Sequence, residues 1–322
     1  MTARRFVEVV PLFNFTATAQ ERLDLDADTW LVPLDEATRV HIVRTIDQQD
    51  TLINRAILST LRFGLFHRFT LQDPTVTEPP GQDLELDARV IFKLLRPDRA
   101  VTTGYWAYYS EGGPPSGGSR QTSEFRWPGP SYQLETSDAA RLPELWRELR
   151  RIMSPPWLWR SRFLHTARIR LWRASHDQDR QQRLLDLFIA IEALLLRETE
   201  HWGRTDGQGA LPFGPRRFAT LLEPDTPAGQ DPLYERIRRA HVQRNTIAHG
   251  IDRDLVGFDG TIATFEDLEC EVERWTTVAL HRALRLLYHA GSKDAAVAQL
   301  DALASDPAGN GAVVHRLLAR IN

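Results

Sequence analysis

Arg244, Asn245 and His249 stand within six residues of one another in the string Arg244-Asn245-Thr246-Ile247-Ala248-His249. A guanidinium offsets negative charge on a bound anion, and an imidazole takes or gives a proton near neutral pH. An amide beside them can orient either group through a hydrogen bond. This set of side chains suits acid–base chemistry at a phosphate. His241, Arg238 and Tyr234 precede it on the same stretch and are supporting candidates.

The stretch from Tyr234 to Gly250 must position these groups, and its periodicity predicts a helix. At about 100° per residue, Leu233, Ile237, Ala240, Arg244 and Ile247 share one stripe. Four of these residues are apolar, and an arginine among them is costly to bury unless it is paired. Tyr234, His241, Asn245 and His249 form a polar strip on the neighbouring face. Pro232 suits the first helical turn and Gly250 the residue just past the end. A second helix is predicted from Asp179 to Trp202. Its segment Leu184 to Leu196 is apolar nearly all round, as expected for the central helix of a bundle. Glu192 interrupts that segment. Two out-of-place charges in one core predict an ion pair between Glu192 and Arg244.

These residues carry a family resemblance. Arg244 to His249 matches the R-x4-H motif of HEPN domains, with a polar residue directly after the arginine. Leu184 to Leu196, with Glu192, resembles the first core helix of the ApeA-like HEPN group. Tyr234-Glu235-Arg236-Ile237-Arg238 then leads into Arg-Asn-x-x-x-His-Gly in the same order. The resemblance covers roughly residues 138 to 290. It implies a helical bundle and a metal-independent endoribonuclease, an effector of antiphage defence or a toxin system. Arg244, His249 and Asn245 would be catalytic, with Glu192, His241, Tyr234 and Arg238 supporting, and with no metal or cofactor.

Metal-free RNA cleavage needs a base, an acid and cations beside the phosphate. One R-x4-H motif supplies one histidine and one arginine, so a homodimer with paired motif helices is expected. Arg244 and His249 lie roughly 140° apart around their helix, which suits action across a two-fold axis better than within one chain. The helix C-terminus should favour protonated His249. Two plainer roles stay open: His249 as a helix-end cap, and Arg244 as a core ion pair to Glu192. The competing function is a non-catalytic HEPN module that binds RNA or a partner protein, such as a companion defence protein. Toxins neutralised by nucleotide transfer to a tyrosine after the histidine form a third class. Here Gly250, Ile251 and Asp252 follow His249, and that tyrosine is missing.

The 322 residues suffice for two domains, and 42% hydrophobic with 26% charged residues is the balance of a globular protein. Net charge is −3, so any nucleic-acid contact must come from local clusters. Cys270 is the sole cysteine, which excludes an intrachain disulfide and a cysteine-built metal site. No leader-like opening and no uncharged run of about 18 residues is present, so a cytoplasmic, membrane-free protein is expected.

The expected fold is α+β. A mixed α/β recognition or sensor domain spans residues 1–136, and an all-helical domain spans 137–322. Strands are predicted at Arg5–Phe13, Trp30–Pro33, Arg39–Ile46, Phe66–Leu71 and Val101–Tyr109, with Phe125–Trp127 as a returning partner. Helices are predicted at Ile53–Leu65 and Ala88–Leu95, and a flexible loop at Ser110–Ser123. Trp106, Tyr105, Tyr108, Tyr109 and Trp127 could stack on bases, though core packing is the commoner use of such residues. From Ser137, taken as an N-cap, a helix is expected through Ile152, then a long arginine-studded one at Trp157–Ala174. An RNA-facing subset of those arginines is conceivable. Further helices are expected at Arg216–Leu222 and Phe265–Ala290, with two short ones within Val297–Ile321.

Overall fold

The computed structural model describes residues 4–18, 21–40, 60–71, 82–97, 105–110, 119–121, 131–177, 179–201, 212–225, 232–249 and 264–305, with a few isolated positions beside them. The chain divides into two compact units, Met1–Arg151 and Ile152–Asn322. The boundary expected at 136/137 lies at the start of a helix, Thr136–Met153, whereas the division falls near that helix's end. Helix predominates, accompanied by a small antiparallel sheet.

The first unit is built on strands β1 (Arg4–Leu12), β2 (Phe15–Ala17), β3 (Leu23–Asp24), β4 (Thr29–Pro33), β5 (Phe63–Leu71), β6 (Tyr105–Ser110), β7 (Ser119–Gln121) and β8 (Tyr132–Leu134). Six of them form an antiparallel sheet in the order β3-β4-β5-β1-β6-β7; β2 and β8 pair in parallel. Val7, Val9, Val10 and Leu12 are all buried, so β1 is covered on both faces from Val7 to Leu12, with Glu8 buried among the apolar residues. Helices α1 (Gln82–Leu95) and α2 (Thr136–Met153) are described alongside these strands. Phe15 and Tyr132 stack at 5.4 Å, and Tyr132 Oη donates to Phe92 O at 3.0 Å.

The second unit contains helices α3 (Pro156–Trp159), α4 (Arg162–His176), α5 (Arg180–Leu195), α6 (Phe213–Leu222), α7 (Pro232–Ala248), α8 (Phe265–Ala290) and α9 (Lys293–Ser305). As its all-round apolar sequence predicts, α5 is central and packs against α4, α6, α7 and α8. Buried ion pairs pin the bundle. Arg183 of α5 reaches Glu269 of α8 at 2.7 Å, and Arg170 of α4 reaches Asp186 of α5 at 2.6 Å. The fully buried guanidinium of Arg217 on α6 bonds Glu200, and it also bonds Asp301 of α9 at 2.7 Å.

Several expectations are corrected. Of the strand expected at Arg39–Ile46, Arg39, Val40 and Ile42 are helical and the rest lies outside the described residues; Asp35 caps this helical segment by accepting from Thr38 N at 2.7 Å. Phe63–Leu65 extends β5 instead of ending a helix, held in register by Leu12, Pro11 and Val10 of β1. Within the expected 110–123 loop, Ser119–Gln121 forms β7 on β6, where ladder hydrogen bonds outweigh a turn-rich composition. Phe125–Trp127 lies outside the described residues. Ser137 is no N-cap, since α2 already includes Thr136. The expected Trp157–Ala174 helix is broken in two: Ser161 is extended and its Oγ donates to Leu158 O at 2.6 Å. The helix expected to reach Trp202 stops at Leu195, where Leu196 turns extended. Its last carbonyls are satisfied from other elements, Ala193 O by Lys293 Nζ at 2.7 Å and Leu195 O by Arg217 at 2.9 Å. The C-terminal helix starts at Lys293, not Val297. The side chains of Tyr105, Trp106, Tyr108, Tyr109 and Trp127 lie outside the described set.

Candidate functional site

The string singled out above occupies the second half of α7 and its end. Leu233, Tyr234, Ile237 and Ala240 are buried and seat the helix in the bundle. Arg236 ties it to Glu271 of α8, with its guanidinium 5.5 Å above the Trp275 ring. Because α7 also packs on α5, Glu192 of α5 meets the last turns of α7. Arg244 Nη2 lies 3.5 Å from Glu192 Oε2, with both side chains about one-fifth exposed. The pair predicted from the sequence is present, in a half-buried setting rather than a dry one.

Arg244 Nη1 donates to Asn245 Oδ1 at 2.9 Å. A guanidinium only donates, so this contact fixes the amide with its oxygen toward arginine and Nδ2 free to donate. Nδ2 sits 3.5 Å from His241 Nδ1. That ring nitrogen must therefore accept, which places the imidazole proton on Nε2. Nε2 in turn faces Glu192 Oε1 at 4.0 Å, an electrostatic contact too long for a hydrogen bond. Glu192, Arg244, Asn245 and His241 thus form a closed circuit of four side chains. Phe188 of α5 packs edge-on to the His241 ring at 5.6 Å and shields it.

Burial pushes the His241 imidazole down to about 4, and the neighbouring Arg244 cation adds to the effect. At neutral pH this histidine is uncharged. Burial also raises the Glu192 carboxyl above its ordinary range, opposed by the Arg244 charge. The Arg244 Nε is buried and bonds nothing among the described residues.

His249 lies one residue past α7, its backbone nitrogen still donating to Asn245 O at 3.1 Å. Its side chain is exposed, and no described side chain bonds it. The other two candidates stand apart from the circuit. Tyr234 is buried ten residues before Arg244, about 15 Å along the helix. Burial, then the Glu235 charge, raises its hydroxyl. Arg238 is exposed and engages Glu235 at 3.0 Å.

Among the described residues, one chain thus presents the anchored Arg244 cation and the exposed His249 imidazole about one turn apart. His241, a supporting candidate from its sequence position, is a structural member of the circuit. Its spacings of three and four residues to Arg244 and Asn245 carried that signal. Phe188 had no signal beyond being apolar. No family model, characterised protein or solved structure matches this chain, so the chemistry of the site rests on its own residues.

Proposed function

We propose that the C-terminal unit is a metal-independent endoribonuclease of the HEPN type, working as a homodimer in the cytoplasm as an antiphage or toxin effector. Arg244 and Asn245 of each protomer hold the scissile phosphate, and the two copies of His249 move the protons. One imidazole takes the proton of the 2′-hydroxyl as its oxygen attacks phosphorus. The other protonates the departing 5′-oxygen as the P–O5′ bond breaks. The products are a 2′,3′-cyclic phosphate and a 5′-hydroxyl. Guanidinium charge offsets the extra negative charge on the phosphate in the transition state.

A single observation carries this reading. An R-x4-H string at a helix end combines a guanidinium braced by Glu192 and Asn245 with an exposed imidazole one turn on. Bracing is what a phosphate ligand needs, because a cation fixed beforehand loses little entropy on binding. The same bracing also favours a second reading, a non-catalytic module that binds RNA or a partner protein, since it occupies two guanidinium nitrogens. Incubating the purified protein with mixed RNA and EDTA decides between them. The nuclease generates 2′,3′-cyclic phosphate ends and the non-catalytic module leaves RNA intact.

A further inference from the structure

Between Ile152 and His176 the chain carries five arginines and no aspartate or glutamate, although the whole protein is net negative. The structure sorts these arginines. Arg168 is buried and Arg170 pairs with Asp186. Arg160, Arg162 and Arg173 are exposed, and no carboxylate among the described residues pairs with them. On α4, Arg162, His165, Ile169 and Arg173 follow one another at steps of three and four, so they share one face. That face is opposite Leu164, Ala167, Leu171 and Ala174, which are buried. The stripe is about 16 Å long from Arg162 to Arg173.

An exposed aromatic residue precedes α4 in the chain, in the short helix α3. Trp157 is 37% exposed, one of only two large hydrophobic residues so exposed among those described. Pro155 and Pro156 restrict the backbone that presents it. Nearby, the Arg160 guanidinium lies 4.6 Å over the Trp159 ring, which holds that cation in place. Exposed tryptophan is costly in water, and exposed arginines without a carboxylate partner among the described residues are open to an anion. A phosphodiester chain neutralises the cations, and an unstacked base covers the indole.

We propose that Trp157 of α3, Arg160 just past that helix and the Arg162–Arg173 stripe of α4 form a track for single-stranded RNA, built from residues other than those of the Arg244–His249 site. The track deepens the nuclease reading by assigning a substrate path, yet it requires only binding. Arginine side chains contact phosphates irrespective of sequence, and Trp157 stacks on one base. The α4 helix packs on α5, which in turn bears Glu192, so the track belongs to the same unit as the circuit.

The test uses full-length His249→Ala protein, which leaves RNA uncut, and a fluorescein-labelled oligouridylate followed by anisotropy. Combined Arg160→Gln, Arg162→Gln and Arg173→Gln should weaken binding at least about tenfold at low salt. It should also reduce the slope of log affinity against log salt by about 2, since each phosphate contact on a single strand contributes about 0.7. Arg274→Gln, an exposed arginine on α8, should change neither quantity. Trp157→Ala should weaken oligouridylate binding about 5- to 100-fold, the loss of one stacked base. It should leave heparin binding unaltered, because heparin has charge but no bases. These exposed substitutions should leave thermal unfolding unchanged.

An unchanged affinity and salt slope in the triple variant would overturn the track. Equal losses for heparin and oligouridylate in Trp157→Ala would also overturn it, in favour of an acidic-protein or general polyanion surface. Failure of the track leaves cleavage by the His249-containing protein intact. Failure of the nuclease reading leaves track-dependent binding without cyclic-phosphate products. The two failures are therefore distinguishable.

Discussion

Asn245 Oδ1 accepts from Arg244 Nη1 at 2.9 Å, so two adjacent residues of one helix are joined side chain to side chain. Consecutive positions on a helix usually diverge by about 100°, and this contact bends the guanidinium back across its own helix. Glu192 holds the other end of the guanidinium at 3.5 Å. The cation is clamped at two points.

Removing the carboxylate end of the clamp should affect activity more than stability. Glu192 and Arg244 are each about one-fifth exposed, and burial already favours the neutral carboxyl. Glu192→Gln should therefore cost only about 1–2 kcal/mol, below the cost of breaking a dry pair. Cleavage should fall by at least about tenfold as the guanidinium loses its brace. Urea unfolding and a cleavage assay on the same preparation measure both quantities.

His241 should make the protein sensitive to mild acid. Its imidazole is depressed from 6.5 to about 4 in the folded state. The unfolded chain therefore binds a proton that the native state refuses. This contribution to stability is complete above about pH 6.5 and is lost as pH falls toward 4, amounting to about 2–3 kcal/mol. Glu192, with its raised carboxyl, acts in the opposite direction and regains some stability as pH falls through its own range. His241→Gln should flatten the fall in unfolding free energy between pH 6.5 and pH 4. An equally steep fall in the variant would show that the imidazole is not the group responsible.

Arg217 tests what holds the bundle together independently of the site. It is fully buried between Glu200 and Asp301 and also caps Leu195 O. Arg217→Met leaves two carboxylates short of their partner and should cost about 3–5 kcal/mol. The Glu200 carboxyl is held down to about 2 through its Arg217 bond, despite burial acting the other way. Its share of stability is present above pH 4.5 and fades only as pH falls toward 2. The loss in Arg217→Met should thus be full at neutral pH, as thermal melts at pH 7 and pH 3 can establish.

What the sequence revealed and what it hid follow from how local each signal is. The α8 limits were legible because Thr264 and Asp267 cap one end reciprocally and Gly291 adopts φ 73° at the other. The Glu192–Arg244 pair was legible despite a separation of 52 in sequence, because both charges interrupt apolar patterns. The break at Ser161 was hidden, since a serine amid arginines looks like a solvated helix position. Strand β7 was hidden too, because its partner β6, not its own glycine-rich surroundings, makes it a strand. The sheet order depends on pairings such as β1 with β5, which nothing local encodes. The role of His241 required knowing which way the Asn245 amide points.

Mixing inactive protomers tests whether Arg244 and His249 act together across a dimer. Arg244→Ala and His249→Ala proteins are each prepared, assayed alone on RNA in EDTA, then mixed and assayed again. Each variant alone should be inactive, at least about a hundredfold below wild type, since each lacks one function in both protomers. His249→Ala should keep wild-type thermal stability, because its side chain is exposed and unbonded by described residues. Mixed dimers retain one Arg244 and one His249 where the mechanism uses two of each, so they should cleave well below wild type, with 2′,3′-cyclic phosphate ends on any product. Undiminished cleavage by His249→Ala alone, or cleavage by the wild type that stops when EDTA is added, would contradict the account.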